Sequence, residues 1–211
     1  MSDIILLMKQ KLVAPNDPVL IQIAKPLLKN ELQSDETKKN IENLLTVSYG
    51  HRIDRQQPLV VGLAAPQIGI SKRIIAVDIG ADGKGNLSNL QICINPEVIK
   101  KSKNENEWYE GCWSTDRVCG IVSRPTKVSV SFLTQTGKKV IQSYERYVAR
   151  IFQHEIDHLN GIEFISHITD ELKLHWVEEN KFPEYRNKEG WKNWEILCTR
   201  SRWEKIKRSN K

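Results

Sequence analysis

The feature that most constrains this chain is "QHEIDHLNG", residues 153 to 161. Positions i and i+4 of an α-helix lie about 40° apart around its axis, so His154 and His158 share one face. Two imidazoles so placed can bind one cation, and Glu155, at the edge of that face, can reach a water on the cation. This is the chemistry of the HExxH pattern: two ligands and a general base from one helical turn. The pattern also arises by chance on surface helices, but here Ile151, Phe152, Ile156 and Leu159 surround the histidines. Two imidazoles and a carboxylate within an apolar helix carry a desolvation cost that a bound cation offsets.

A catalytic centre wants a third protein ligand and an open position. The spacing leaves two sources for that ligand. One is the acidic pair Glu178 and Glu179, downstream of His158. The other is Cys112, upstream in "YEGCWST".

The rest of the chain bounds the architecture. With 211 residues there is room for one domain with a substantial core. Hydrophobic residues at 39% and charged residues at 27% exclude a disordered chain. The apolar run Ile4–Met8 is too short for a signal sequence or a membrane span, so a cytoplasmic protein is expected. The four cysteines, Cys93, Cys112, Cys119 and Cys198, form no CxxC pair and suggest no disulfide framework. A net charge of +6 suits acidic surroundings, although a solvated basic face explains it equally well.

Periodicity predicts a helix over 35–50, stopped by Gly50, and another over 146–159, ended by Asn160 and Gly161. Strands are expected over 73–80, 90–99 and 126–134, the last forming a hairpin with 137–145. No run of βαβ units appears. The fold class expected is therefore α+β, with mostly antiparallel sheets packed around a central helix that carries the HExxH motif, and a C-terminal helical tail. The tail, 169–211, holds four of the six tryptophans and is too short for an independent domain. It is expected to be an extension packed on a catalytic domain of residues 1–168.

Three stretches occur in order: "GLAAPQIGI" (62–70), "EGCWS" (110–114) and "QHEIDHLNG" (153–161). Together they resemble the three signature motifs of the peptide deformylases, and "PNDPVLIQIAKPL" resembles that family's opening. The resemblance covers roughly residues 12–168. It implies a metal-dependent hydrolase of protein biosynthesis that performs N-terminal methionine processing. The formyl group of formyl-methionyl nascent peptides would be released as formate. It further implies Cys112, His154 and His158 as metal ligands and Glu155 as catalytic acid and base. Gln67 and the backbone N–H of Trp113 would hold the developing oxyanion, and the backbone at Gly62 would pair with the substrate. Val61, Ile151 and Trp108 are candidates for the methionine pocket, and Glu110 would brace the cysteine loop by pairing with Arg124. Asp157 is expected to orient a ligand or to pair with Arg150. The implied metal is iron(II), with nickel, cobalt or zinc able to substitute. Contact with the ribosome through the basic surface is a further hypothesis; neither a membrane nor a sequence-specific nucleic acid is expected as a partner.

Four departures from the family pattern stand out. Val60 occupies a position where a glycine is usual, and Trp113 one where a leucine is usual. Cys119 stands seven residues past Cys112, where the family often has a peptide-binding arginine, and the Trp-rich tail is longer than expected. Two rival readings follow: a zinc endoprotease using Glu178 as third ligand, or a binding protein of the same fold without turnover.

Overall fold

The computed structural model describes residues 12–53 and 60–209, without the side chains of 50–53. Two antiparallel sheets and several helices build the protein. The larger sheet has the order β1-β2-β3-β6-β7, formed by β1 (Gly62–Ala64), β2 (Ile74–Asp78), β3 (Leu90–Lys101), β6 (Lys127–Leu133) and β7 (Lys139–Glu145). The smaller has the order β4-β5-β8, formed by β4 (Glu105–Gly111), β5 (Val118–Pro125) and β8 (Leu174–Trp176).

The five-stranded sheet is covered on both faces, which explains the unbroken apolar run of β2. Ile75 and Val77 point towards helix α2 (Arg146–Leu159), into a cluster with Phe152, Ile156 and Leu159. Their neighbours Ile74 and Ala76 point the other way, towards Ile41, Leu44 and Val47 of helix α1 (Asp35–Ile53). Alternation along a strand puts successive side chains on opposite faces, so two apolar coverings demand apolar residues at every position. Tyr144 of β7 stacks on Phe152 with ring centroids 4.2 Å apart.

Close packing of α2 on β1 depends on Gly62. A Cβ there would stand 2.7 Å from Ile151 Cγ2 and press on the Glu155 carboxylate. The C-terminus of α2 is tied down by Arg73, whose Nη1 donates to Leu159 O (3.1 Å) and Asn160 Oδ1 (3.0 Å).

Several expectations need correction. The fold is α+β as two separate antiparallel sheets with several helices, not as sheets around one central motif helix with a helical tail. Residues 174–176 of the tail are strand β8, which pairs with β5. The metal cluster is a cysteine and two histidines drawn from two parts of the fold, rather than an HExxH site. Gly50 does not stop α1, which continues to Ile53. Strands β4 and β5, which flank Cys112, were not anticipated: β4 reads "ENEWYEG", where glutamates, an asparagine and a glycine outnumber two adjacent aromatic residues, so no alternation marks it.

The tail packs through aromatic groups. Trp203, on helix α4 (Arg200–Ser209), is buried with Val118, Val122 and Phe164. Tyr185, on the short helix α3 (Phe182–Arg186), is buried with Trp191 and Cys119. Tyr109 of β4 meets Tyr185 edge-on at 5.5 Å, and Trp108 lies 5.9 Å from Trp191.

Candidate metal centre

The β4–β5 hairpin presents Cys112 to the histidine face of α2. Register pairs Gly111 with Cys119, so Cys112 opens the connecting loop. A Cβ at Gly111 would stand 2.8 Å from Cys119 Sγ, so a side chain there would displace the hairpin. Thr115 locks the turn: its N–H donates to Cys112 O at 3.0 Å, and its hydroxyl donates to Cys112 O and Val118 O at 2.9 and 3.0 Å.

Cys112, His154 and His158 offer ligand atoms that all lie within 4.8 Å of one another. Cys112 Sγ is 3.2 Å from His158 Nε2. His154 Nδ1 is 2.9 Å from Glu110 Oε2, a contact that places its proton on Nδ1 and leaves Nε2 as the ligand atom. Burial would raise the Cys112 thiol, but the imidazoles of His158 and His154 hold it well below its ordinary value. Burial would lower His154, yet its hydrogen bonds to Cys112 and Glu110 hold it well above. Thiolate and imidazoles thus form a cluster whose protons a divalent ion can replace.

Glu110 is the hub behind this face. Its Oε1 accepts from Arg124 Nε (2.6 Å) and Arg150 Nη1 (2.7 Å), and its Oε2 accepts from Arg124 Nη2 (2.9 Å) as well as from His154. Burial would push this carboxyl up, but Arg124 and then His154 hold it well below the usual range. Asp157 pairs with Arg124 (2.7 Å) and His167 (2.8 Å), not with Arg150, whose partner is Glu110.

The residues that would do the chemistry converge from the other side. Glu155 is buried, and its Oε2 has no hydrogen-bond partner among the described residues. Burial pushes this carboxyl up to about 7, against the opposing charges of His154 and His158. Gln67 is held by its amide oxygen, which accepts from Ala64 N–H at 2.9 Å, so its Nε2 turns to Cys112 Sγ and Ser114 Oγ, both at 3.2 Å. Val60, Val61, Gly62, Gln67, Trp113 and Ile151 line one cleft of about 840 Å³ with Cys112, His154 and Glu155. Trp108 lies outside that lining, against Trp191. Glu178 is also not part of the cluster. It pairs with Arg117 and accepts from Trp176 Nε1 at 2.7 Å, which removes the endoprotease reading.

The donor set fits a single divalent cation: a thiolate, two imidazoles, one of them oriented from behind, and an orphaned buried carboxylate oxygen beside them.

The sequence matches the family model described as polypeptide deformylase over residues 9–173. The chain belongs to the polypeptide deformylase family. A peptide deformylase of Carboxydothermus hydrogenoformans is 43% identical over 155 residues, covering 74% of this chain and 90% of that relative. One of Halothermothrix orenii is 43% identical over 155 residues, 72% of this chain and 88% of that relative. Among solved structures, the actinonin-bound class I type b peptide deformylase of Acinetobacter baumannii superposes with a TM-score of 0.65 at 33% identity. That match covers 75% of this chain and 97% of the other. Family and site together make this a metal-dependent peptide deformylase.

The sequence missed Ser114 as a partner of Gln67 and the joint hold of Arg124 and Arg150 on Glu110. It also missed Phe182 and Arg186, tail residues that line the cleft. No local pattern marks any of these.

Proposed function

We propose a division of labour for removing the N-formyl group from the initiator methionine of new polypeptides. Cys112, His154 and His158 hold one divalent ion, with iron(II) as the native metal and nickel, cobalt or zinc as substitutes; a mixed thiolate–imidazole donor set suits all four. When bound, the ion polarises the formyl carbonyl and lowers the pKa of a coordinated water. Glu155 takes a proton at its unpartnered oxygen and returns it to the departing amine nitrogen, so formate and a free N-terminus result. Gln67 Nε2 and the Trp113 N–H donate to the developing oxyanion. Glu110 orients His154 from behind and braces the loop beneath the substrate.

The open edge of β1, an edge strand of its sheet, supports main-chain pairing of the substrate at Val61 and Gly62, with Ile151 contributing to the methionine pocket. Residues 1–168 form the catalytic domain and 169–211 an extension packed on it. No helix among the described residues is long and apolar enough to cross a membrane, and a cytoplasmic site of action matches a nascent-chain substrate.

The single observation that carries this reading is the cluster of Cys112, His154 and His158, two of which line one cleft with Glu155, within a polypeptide deformylase sequence. Formate release from formyl-Met-Ala-Ser by the iron(II)-loaded chain tests it. The expected result is stoichiometric formate with the peptide bonds intact; cleaved peptide bonds, or none of either product at one metal per chain, would contradict it.

Ribosome contact rests on the tail's charge, eleven Lys and Arg against seven Asp and Glu from Glu171 onward. Truncation would remove the buried Trp191 and Trp203, so charge reversal at exposed Lys205 and Arg208 is the cleaner test. Weaker ribosome co-sedimentation with unchanged peptide hydrolysis is expected; unchanged co-sedimentation would exclude this surface.

A further inference from the structure

We propose that Arg186 of the C-terminal extension is a specificity-determining residue, which binds a carboxylate of the peptide downstream of its formyl-methionine. The proposal rests on the deformylase reading above and extends it to residues beyond the family match, which ends at 173.

The extension enters the same cleft as the metal cluster. Phe182, Arg186 and Asn187 line it together with Gly62, Cys112 and His154. Helix α3 is firmly seated. Tyr185 is fully buried, its hydroxyl lies 2.9 Å from His175 Nδ1, and its ring meets Trp194 edge-on at 5.1 Å. The next residue, Arg186, carries its guanidinium 5.3 Å from the centre of the Phe182 ring. Burial pushes Tyr109, Cys119 and Tyr147 up, and the charge of Arg186 partly offsets this in each, so the guanidinium stands among three side chains of the cleft wall.

The contrast with the neighbouring arginines is the main observation. Arg124 and Arg150 spend their donors on Glu110, Asp157 and backbone carbonyls, and Arg117 is paired with Glu178. Arg186 forms no ion pair among the described residues, and its Nε is buried without a hydrogen-bond partner. Asp116 and Glu179 line the same cleft, but neither pairs with it. A buried donor without a partner is costly, and native proteins rarely tolerate one. A guanidinium held over an aromatic ring offers a planar fork, which suits a carboxylate better than a single carbonyl. On a peptide that carboxylate comes either from an acidic side chain or from the C-terminus of a short substrate.

The test compares formate release from formyl-Met-Ala-Ser as free acid, from the same peptide as C-terminal amide, and from formyl-Met-Ala-Asp amide. For the wild type, kcat/KM is expected to be about tenfold higher for at least one carboxylate-bearing peptide than for the neutral amide, mainly through KM. The better of the two identifies the source. Arg186→Gln is expected to collapse this ratio towards one, and Arg186→Lys to keep part of it. Equal rates on all three peptides, or an Arg186→Gln variant that slows all three alike, would overturn the proposal. Hydrolysis of the neutral amide by the wild type reports the deformylase activity itself, so failure of that activity is read separately.

Discussion

The two walls of the cleft are built on different principles. The wall where the β4–β5 hairpin meets α2 is held by charge: Glu110 gathers Arg124, Arg150 and His154 into one buried network directly behind the metal ligands. The wall formed by the tail is held by aromatic packing, with Tyr185 and Trp191 against Tyr109, and Trp194 edge-on to Tyr185. A charge network fixes direction, which a ligand such as His154 needs, because each hydrogen bond has one good geometry. Aromatic packing fixes position at large apolar gain but orients polar atoms poorly, and it leaves Arg186 with donors to spare.

Substitutions can break this contrast, starting with the largest effect. Glu155→Ala should lower kcat by about two to four orders of magnitude while melting temperature and metal content hold, because it removes a proton carrier and no ligand. Loss of metal in this variant would show that Glu155 is instead part of the binding site. Glu110→Ala strands Arg124 and Arg150 in a buried site, and should cost about 3–5 kcal/mol in denaturant unfolding. It should also weaken metal affinity by about 10- to 100-fold, since His154 loses the acceptor that orients it. Trp191→Ala opens a cavity in the other wall at a similar cost of about 3–5 kcal/mol. Its metal affinity should be unchanged. If both variants lose metal equally, the charged wall has no special role.

Smaller effects sharpen the same distinction. Gly62→Ala forces a methyl group onto Ile151 and the Glu155 carboxylate, and should cost about 1–3 kcal/mol with a fall in kcat. A fully active, fully stable variant would show that β1 can back away from α2. The last test is acidity. Arg124 and His154 hold Glu110 below the usual carboxylate range in the folded state, so its contribution is present above the unfolded value of about 4.3. It is lost as pH falls below that value, through the folded one. Melting temperature measured against pH should therefore fall more steeply at the acid end for the wild type than for Glu110→Gln. Parallel curves would remove Glu110 from the acid response.

The same contrast explains what was legible in the sequence. Helix α2 and strand β2 write their structure locally: helical periodicity marks 146–159, and a helix face alone places His154 next to His158. The strand at 74–78 declares itself because both its faces are covered. Cys112 could be chosen over Glu178 only through the ordered motifs, since no local pattern brings a hairpin loop to a helix about forty residues later. The hairpin's first strand has three exposed polar residues in a row and no alternation, and hides among loop-like residues. Strand β8 escaped for another reason: three residues inside a Trp-rich tail carry too little pattern to separate strand from helix. Glu110 has three cationic partners drawn from β5 and α2, and such a hub is a property of tertiary packing alone.

Everything proposed for the cleft depends on the binding of a single ion by one thiolate from the hairpin and two imidazoles from the helix. That binding is tested most directly by loading the metal-free chain anaerobically with cobalt(II) and recording its absorption spectrum beside that of Cys112→Ser. One cobalt per wild-type chain is expected, with an intense near-ultraviolet sulfur-to-cobalt band that Cys112→Ser lacks. A band of full strength in Cys112→Ser, or a wild type that binds cobalt without one, would contradict it.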